Sequence, residues 1–165
     1  MGPAKLAETE VDIVIARALH VLAIVHWIGG VAFVTLVALP MANARGGAEG
    51  WALLHGIERR FSAQVRWSIA IAGAAGFWMT YRLDLWYRFR DPGFWWMDAM
   101  VGLWLLFALI VFAVEPALHK HLERQAASDP ASILRRMMRV HRLLLVAAAV
   151  VIIGAVAGSQ GVTLF

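Results

Sequence analysis

The sequence predicts an all-α fold, an integral membrane protein built as an antiparallel four-helix bundle. Of its 165 residues, 61% are hydrophobic and only 16% are charged, and the mean hydropathy is +0.70. A soluble domain of this length does not need so much apolar surface. The apolar residues form continuous runs rather than alternating with polar ones, which favours helices over strands. One domain, residues 1–165, is sufficient for this length.

Four apolar runs define the predicted helices. They cover about residues 13–39, 65–81, 94–118 and 143–162. The first run ends before Pro40 and, at about 1.5 Å per residue, is long enough to cross a bilayer. The polar segments between the runs allow helical hairpins, so an up-down-up-down bundle is the simplest arrangement.

Small residues recur in the second and fourth runs. Gly73 and Gly76 lie in one, and Gly154 and Gly158 lie in the other. Such residues allow helices to pack closely. They can equally leave room in the bundle for a flat cofactor, and the sequence leaves both interpretations open.

Lysine and arginine predict the orientation of the bundle, because cytoplasmic loops carry an excess of both. The N-terminal segment and second loop hold five of them. The first and third loops hold ten: Arg45, Arg59, Arg60, Arg66, Lys120, Arg124, Arg135, Arg136, Arg139 and Arg142. Both termini are therefore expected outside. The formal net charge of +4 then reflects arginines at the membrane surface, and no nucleic-acid partner is expected.

Two histidines lie inside the first apolar run. An ionisable residue at membrane depth is costly and marks a functional site by default. His20 and Trp27 are seven positions apart and share nearly the same helical face, whereas His26 is rotated by about 120° from His20. The chain has no cysteine, which excludes disulfides, iron–sulfur ligation and thiolate zinc sites. Histidine, methionine and carboxylates remain as ligands.

Met100 is the predicted partner of His20. Both residues lie at a similar depth below the outer edge of the bundle, and Trp104 follows Met100 on the same face of the third helix. A histidine nitrogen and a thioether on two helices form a reasonable axial pair for the iron of haem b. Trp27 on the face of His20 and Trp104 on the face of Met100 would form aromatic walls for the porphyrin plane. The same atoms would suit copper(I). His26 is the alternative to His20, since a rotation of the first helix would bring it inward.

The first helix also resembles that of a known superfamily. Leu19-His20, Trp27 and the pair Gly29-Gly30 are similar to the pattern in the copper-resistance protein D-like superfamily, which includes bacterial membrane protoporphyrinogen oxidases that carry a b-type haem. The resemblance implies that His20 is a haem ligand and that the chain is a multi-pass protein of a bacterial-type inner (cytoplasmic) membrane. In those oxidases a lysine on the third helix lies on the other side of the haem from this histidine, and Met100 occupies the position of that lysine here.

A second cluster is predicted at the cytoplasmic side. Glu115 and His119 are four residues apart on one helical face, beside Pro116, and His141, His55 and Glu58 lie in or near the same layer. Histidines and carboxylates at helix ends can bind a divalent metal or relay protons to a quinone. The alternative is a solvated, salt-bridged helix end.

Three functions follow from these patterns. The first is a haem b redox protein that passes electrons between a quinone and an external partner. The second is a copper-binding or copper-transport protein. The third is a structural membrane subunit, in which the histidines only support the fold, and an oligomer is compatible with all three. Hydrolysis and phosphoryl transfer are not predicted, because the chain has no motif for either.

Overall fold

A computed structural model describes the backbone of residues 3–162 and the side chains of residues 10–118, 124–126 and 128–162. The predicted all-α class is confirmed. The helices are α1 (Pro3–Phe33), α2 (Leu39–Arg45), α3 (Gly47–Arg82), α4 (Trp95–Leu109), α5 (Glu115–Ser128) and α6 (Pro130–Ser159). The π-helical turns Val34–Ala38 and Ile110–Val114 join α1 to α2 and α4 to α5, and short 3₁₀ turns lie between α3 and α4.

The helices pack antiparallel, as predicted, but they extend beyond the apolar runs. α1 lies along α3, and α4 lies along α6. Helical geometry continues into polar flanks because these flanks are also good helix formers, so hydropathy alone places the boundaries too far inward. The C-terminal end of α6 is the exception, because α6 ends at Ser159 and the fourth apolar run was predicted to end at residue 162.

Three stretches of the described chain are long and apolar enough to cross a membrane. They are Glu10–Arg45, Pro92–Leu118 and Pro130–Ser159. The predicted second span, about residues 65–81, belongs to α3 and is not one of them. Its glycines and Arg66 lower its mean hydropathy, although α3 is itself 36 residues long.

A proline follows each π-helical turn. Pro40 is the second residue of α2, and Pro116 is the second residue of α5. Proline has no N–H group, and its ring collides with the carbonyl four residues earlier in a regular helix. The widened turn relieves this clash. The N–H groups of Leu39 and Glu115 donate to carbonyls five residues back, on Val34 and Ile110.

The two ends of the bundle differ in their connections. The end with the Gly46-Gly47 turn and the Asp129 turn is called the hairpin end. Gly46 and Gly47 both have positive φ, of +69° and +50°, which only glycine adopts easily. The opposite, terminal end carries the start of α1, the connection between α3 and α4, and the end of α6. There Arg82 Nε donates to Asp12 Oδ2 at 2.8 Å.

Large apolar side chains cover the outside of the bundle. Leu22 is 65% exposed on α1, and Leu143 and Ile153 are 71% and 68% exposed on α6. Buried positions include the small residues Ala23, Ala72 and Ala148. A surface of this kind is typical of helices that face lipid, where small residues bring the helices together.

Candidate functional site

Both histidines of α1 turn toward α3. His20 Nδ1 lies 2.8 Å from the carbonyl oxygen of Ala72, and His26 Nδ1 lies 2.8 Å from Ser68 Oγ. A carbonyl can only accept, so Nδ1 of His20 donates, and in the neutral ring Nε2 keeps its lone pair. The Ser68 hydroxyl can donate or accept, so it leaves the tautomer of His26 open. Of the two histidines, only His20 therefore has a hydrogen bond that identifies which ring nitrogen could bind a metal.

Indole rings occupy the space beside three of the four glycines in the two small-residue runs. A methyl group added at Gly73 would lie 2.5 Å from Trp104 Cζ2, and one at Gly154 would lie 2.6 Å from Trp95 Cη2. Gly158 is covered by Trp96 in the same way, and Gly76 is covered by the ring of His20. Side chains of the same protein fill the space beside these glycines. This favours close helix packing as the interpretation of the two small-residue runs.

The two tryptophans predicted beside the haem lie in one hydrophobic cluster, in which Trp104 packs against buried residues that include Trp27 and Phe107. Trp104 Nε1 donates to the carbonyl of Ile69 at 2.8 Å, so Trp104 packs against α3. Trp27 is 4% exposed and meets Phe107 edge to face, with ring centroids 5.0 Å apart. Met100 is half-buried on α4. Its position gives no direct evidence of a pairing with His20.

A cavity of about 340 Å³ lies between the helices in the hairpin half. Trp27, Val31 and Val34 line it from the α1 side, and Phe107 and Val111 line it from the α4 side. Its volume is within the range of small-molecule sites. Both π-helical turns contribute to its wall, and such turns occur frequently at functional sites. Its remaining lining residues include His55, Glu58, Arg59, Phe61, Glu115, Met137 and His141.

The predicted cytoplasmic cluster is partly gathered at this cavity. Glu115 and His141 both line it, and Glu58 reaches it from α3. His141 Nε2 lies 3.8 Å from Glu58 Oε1, and His141 Nδ1 donates to the carbonyl of Met137 at 3.0 Å. The side chain of His119 lies outside the described residues. The cluster is thus built from three different helices around one apolar space.

Glu58 is the most perturbed group of this cluster. Burial, with a smaller contribution from the negative charge of Glu115, raises the pKa of Glu58 from 4.5 to about 8. A carboxyl group with such a pKa is largely protonated at neutral pH and can exchange a proton there. The carboxyl of Glu58 therefore keeps its proton to a higher pH than an ordinary glutamate does.

Sequence reasoning placed Glu58 near the cluster but assigned it no role. A signal was present, because Leu54, Glu58, Phe61 and Val65 are spaced by four, three and four residues and so share one face of α3. A glutamate within a buried stripe is unusual. The sequence does not show the partner of Glu58, because His141 is 83 positions away.

No group of three or more histidine, aspartate or glutamate side chains among the described residues is arranged to hold a metal ion. Comparison of the chain with protein-family models, with curated proteins and with solved structures gave no match. The functional interpretation therefore depends on the geometry of the chain itself.

Proposed function

We propose that the chain is an integral membrane four-helix protein that binds haem b through His20 and exchanges electrons with a quinone and an external partner. The observation that carries the haem site is the hydrogen bond from His20 Nδ1 to the carbonyl of Ala72. Metal-ligating histidines commonly donate one ring N–H to a carbonyl, which fixes the tautomer and leaves the other nitrogen for the metal. Met100 is the proposed second ligand.

The packing of α3 supports four membrane crossings rather than three. Asp12 pairs with Arg82 at the terminal end, and Gly50 contacts the carbonyl of Ala42 at the hairpin end. α3 therefore runs beside the whole apolar stretch Glu10–Arg45. If that stretch spans a bilayer, the predicted run of about residues 65–81 in α3 crosses beside it, and Glu58 lies outside the crossing part. The modest hydropathy of the run is compensated by its position against other helices.

A reporter fusion tests the topology. The charge distribution predicts both termini outside, so a periplasm-dependent reporter fused after Phe165 should be active and one fused in the Gly46 turn should be inactive. The reverse pattern would contradict the orientation, and activity at both fusion points would contradict four crossings.

Visible absorption of the purified protein tests the haem. Wild type should show a Soret band with sharp reduced α and β bands. The His20→Ala protein should lose them, because the proposed ligand is removed. Met100→Ala should keep haem with a lower potential or a high-spin spectrum, since a thioether ligand raises the potential. The matched control is His26→Ala, which changes the neighbouring histidine of α1 and should leave the spectrum unchanged.

The same measurement separates the alternatives. Full haem content in His20→Ala would contradict the proposed ligand, and His26 would then be the residue to test. Bound copper without a Soret band would contradict haem and favour the copper-binding function, which the soft thioethers of Met97 and Met100 allow. A protein that binds neither would be the structural subunit.

A further inference from the structure

The two sides of the bundle that would meet lipid differ in polarity. On α4 and α6, every exposed residue at positions 102–114 and 143–158 is glycine or has a hydrocarbon side chain. The α1/α3 outer face is different, and it consists of the exposed residues Leu22, His26, Gly29, Gln64, Trp67 and Ile71. We propose that two copies of this chain pack against each other in the membrane through the α1/α3 outer face. This inference depends on the bilayer placement proposed above and is independent of the haem.

His26 is the residue that lipid fits least well. It is exposed near the midpoint of the apolar stretch Glu10–Arg45. Its Nδ1 lies 2.8 Å from Ser68 Oγ, and its Nε2 has no hydrogen-bond partner among the described residues. Arg17, which is also exposed on α1, can extend its long side chain to the membrane surface, but an imidazole is too short to do so. Because lipid hydrocarbon offers no hydrogen bond, Nε2 of His26 needs a polar group from outside the bundle.

Gln64 carries such a polar group at nearly the same depth. It follows Phe61 by three residues and precedes Ser68 by four, and His26 contacts both of these residues of α3. Gln64 is exposed, and within one chain it forms no hydrogen bond with His26. An amide both donates and accepts, so it can pair with Nε2 of His26 in either tautomer.

A second copy of the chain presents these two groups in the required arrangement. Two copies inserted in the same orientation are related by a two-fold axis along the membrane normal, which keeps each residue at its own depth. His26 of one copy can therefore meet Gln64 of the partner subunit. The symmetry makes the pair occur twice, so the face is complementary to itself.

The shape of the face supports the same partner. A methyl group added at Gly29 would meet nothing within 4 Å, whereas inside the bundle a ring fills the space beside a glycine, as Trp104 does at Gly73. Trp67 is 73% exposed on the neighbouring helix and fits the open space over Gly29 of the partner subunit. Glycine at a helix surface also allows two helices to approach closely in a membrane.

The low hydropathy of α3 agrees with a protein contact on its outer side. α3 is 36 residues long but is not among the described stretches apolar enough to cross a membrane. A helix that faces lipid along one whole side needs apolar residues there. A helix covered by protein on that side does not, because protein can satisfy its polar groups.

Förster transfer between donor-labelled and acceptor-labelled full chains in liposomes tests the inference. The chain has no cysteine, so Gln160→Cys, at the exposed end of α6, gives a single labelling site away from the α1/α3 outer face. Transfer should rise with the number of chains per lipid and fall when unlabelled chain is added. In dilute detergent the copies separate by mass action, so unfolding measured there reports on single chains.

Two matched glycine variants locate the contact. Gly29→Leu fills the open space and should weaken association by about tenfold or more. Gly102→Leu is the control, because Gly102 also has nothing within 4 Å but lies on α4, and it should associate as wild type. Equal association of Gly29→Leu and wild type, or equal losses in both variants, would overturn the proposal. A wild type that stays monomeric at every chain density, with lipid or another protein over the face, would also overturn it.

A double-mutant cycle tests the polar pair. His26→Leu and Gln64→Leu should each weaken association by about tenfold, since each change removes a pair that occurs twice. The double variant should be no weaker than the weaker single variant, because the second change removes a partner that is already lost. Full additivity would overturn the pairing. Circular dichroism confirms that each variant folds, and Gly29→Leu still tests the interface if His26→Leu does not fold.

The absorption spectrum separates this proposal from the haem. Gly29→Leu should keep the wild-type spectrum, because the haem is proposed to lie within one chain. Association of a wild type that contains no haem supports the interface. A wild type that holds haem but stays monomeric refutes the interface and leaves the haem function standing.

Discussion

The terminal and hairpin halves of this bundle use the same helices in opposite ways. In the terminal half, indole rings fill the positions opened by glycine, as Trp104 does at Gly73 and Trp95 does at Gly154. In the hairpin half, residues of both π-helical turns line a cavity of about 340 Å³. The terminal half is therefore filled by side chains, whereas the hairpin half contains a cavity.

The polar groups of the two halves differ accordingly. His20 and Trp104 in the terminal half each hydrogen-bond to a carbonyl of α3. In the hairpin half, the indole N–H of Trp27 has no partner among the described residues, and Glu58 has a pKa of about 8. Trp96 Nε1 in the terminal half is also buried without a partner among the described residues, so the cavity and the raised pKa of Glu58 are what distinguish the hairpin half. The cavity is therefore the available space for a small molecule in the hairpin half, whereas the haem proposed at His20 would have to enter a half that side chains fill.

The largest expected effect tests the packed half. Trp104→Ala removes a large side chain from Gly73 and a hydrogen bond to Ile69, so the free energy of unfolding should fall by about 3 kcal/mol. Chemical unfolding in detergent, followed by circular dichroism, measures this. The matched control is Trp67→Ala, because Trp67 is 73% exposed on α3 and should change stability little. Equal losses in the two variants would show that the terminal half is not specially packed.

The next effect concerns the pH dependence of stability in the hairpin half. Folded protein holds the Glu58 proton up to about pH 8, whereas unfolded protein releases it near pH 4.5. Between these values the folded state binds more protons, so wild-type stability should fall as the pH rises. Glu58→Gln should remove this slope and be more stable than wild type at pH 8 by a few kcal/mol.

Unfolding curves at pH 4.5, 6 and 8 measure that slope. Glu49→Gln again serves as the control and should follow wild type, since Glu49 is exposed. If Glu58→Gln and wild type lose stability in parallel as the pH rises, Glu58 does not have the raised pKa on which the comparison depends.

The smallest expected effect concerns the packing of α1 against Phe61, where the two halves meet. Gly30 receives the ring of Phe61, which also lines the cavity, whereas a methyl group at the neighbouring Gly29 would meet nothing within 4 Å. Gly30→Ala should push that ring aside and cost about 1 kcal/mol, at the low end for overpacking because the end of a side chain can move. Gly29→Ala should be neutral or stabilise the helix by up to about 1 kcal/mol. A thermal unfolding series that ranks the two variants the other way would contradict this packing.

Much of the fold follows from local features of the sequence. The apolar runs predicted the all-α class and the antiparallel packing, because hydropathy and helix propensity belong to a single segment. Pro40 and Pro116 also mark, in the sequence itself, where the helices cannot stay regular. The second run was predicted as a span equal to the others, yet α3 is not apolar enough on its own, and its place beside α1 comes from packing.

Only the tertiary structure determines which neighbours the polar side chains of the two halves contact. The sequence identifies His20, Trp27, Glu58 and His141 as unusual residues for apolar or helix-end positions, but it cannot say what each one faces. The proton on His20 Nδ1 depends on the carbonyl of Ala72, 52 positions away, and the proton on Glu58 depends on burial among three other helices. Such contacts follow from the register and rotation of helices against one another. These are properties of the assembled bundle, because the free energy that sets them comes from many small packing contacts between segments and not from any one segment.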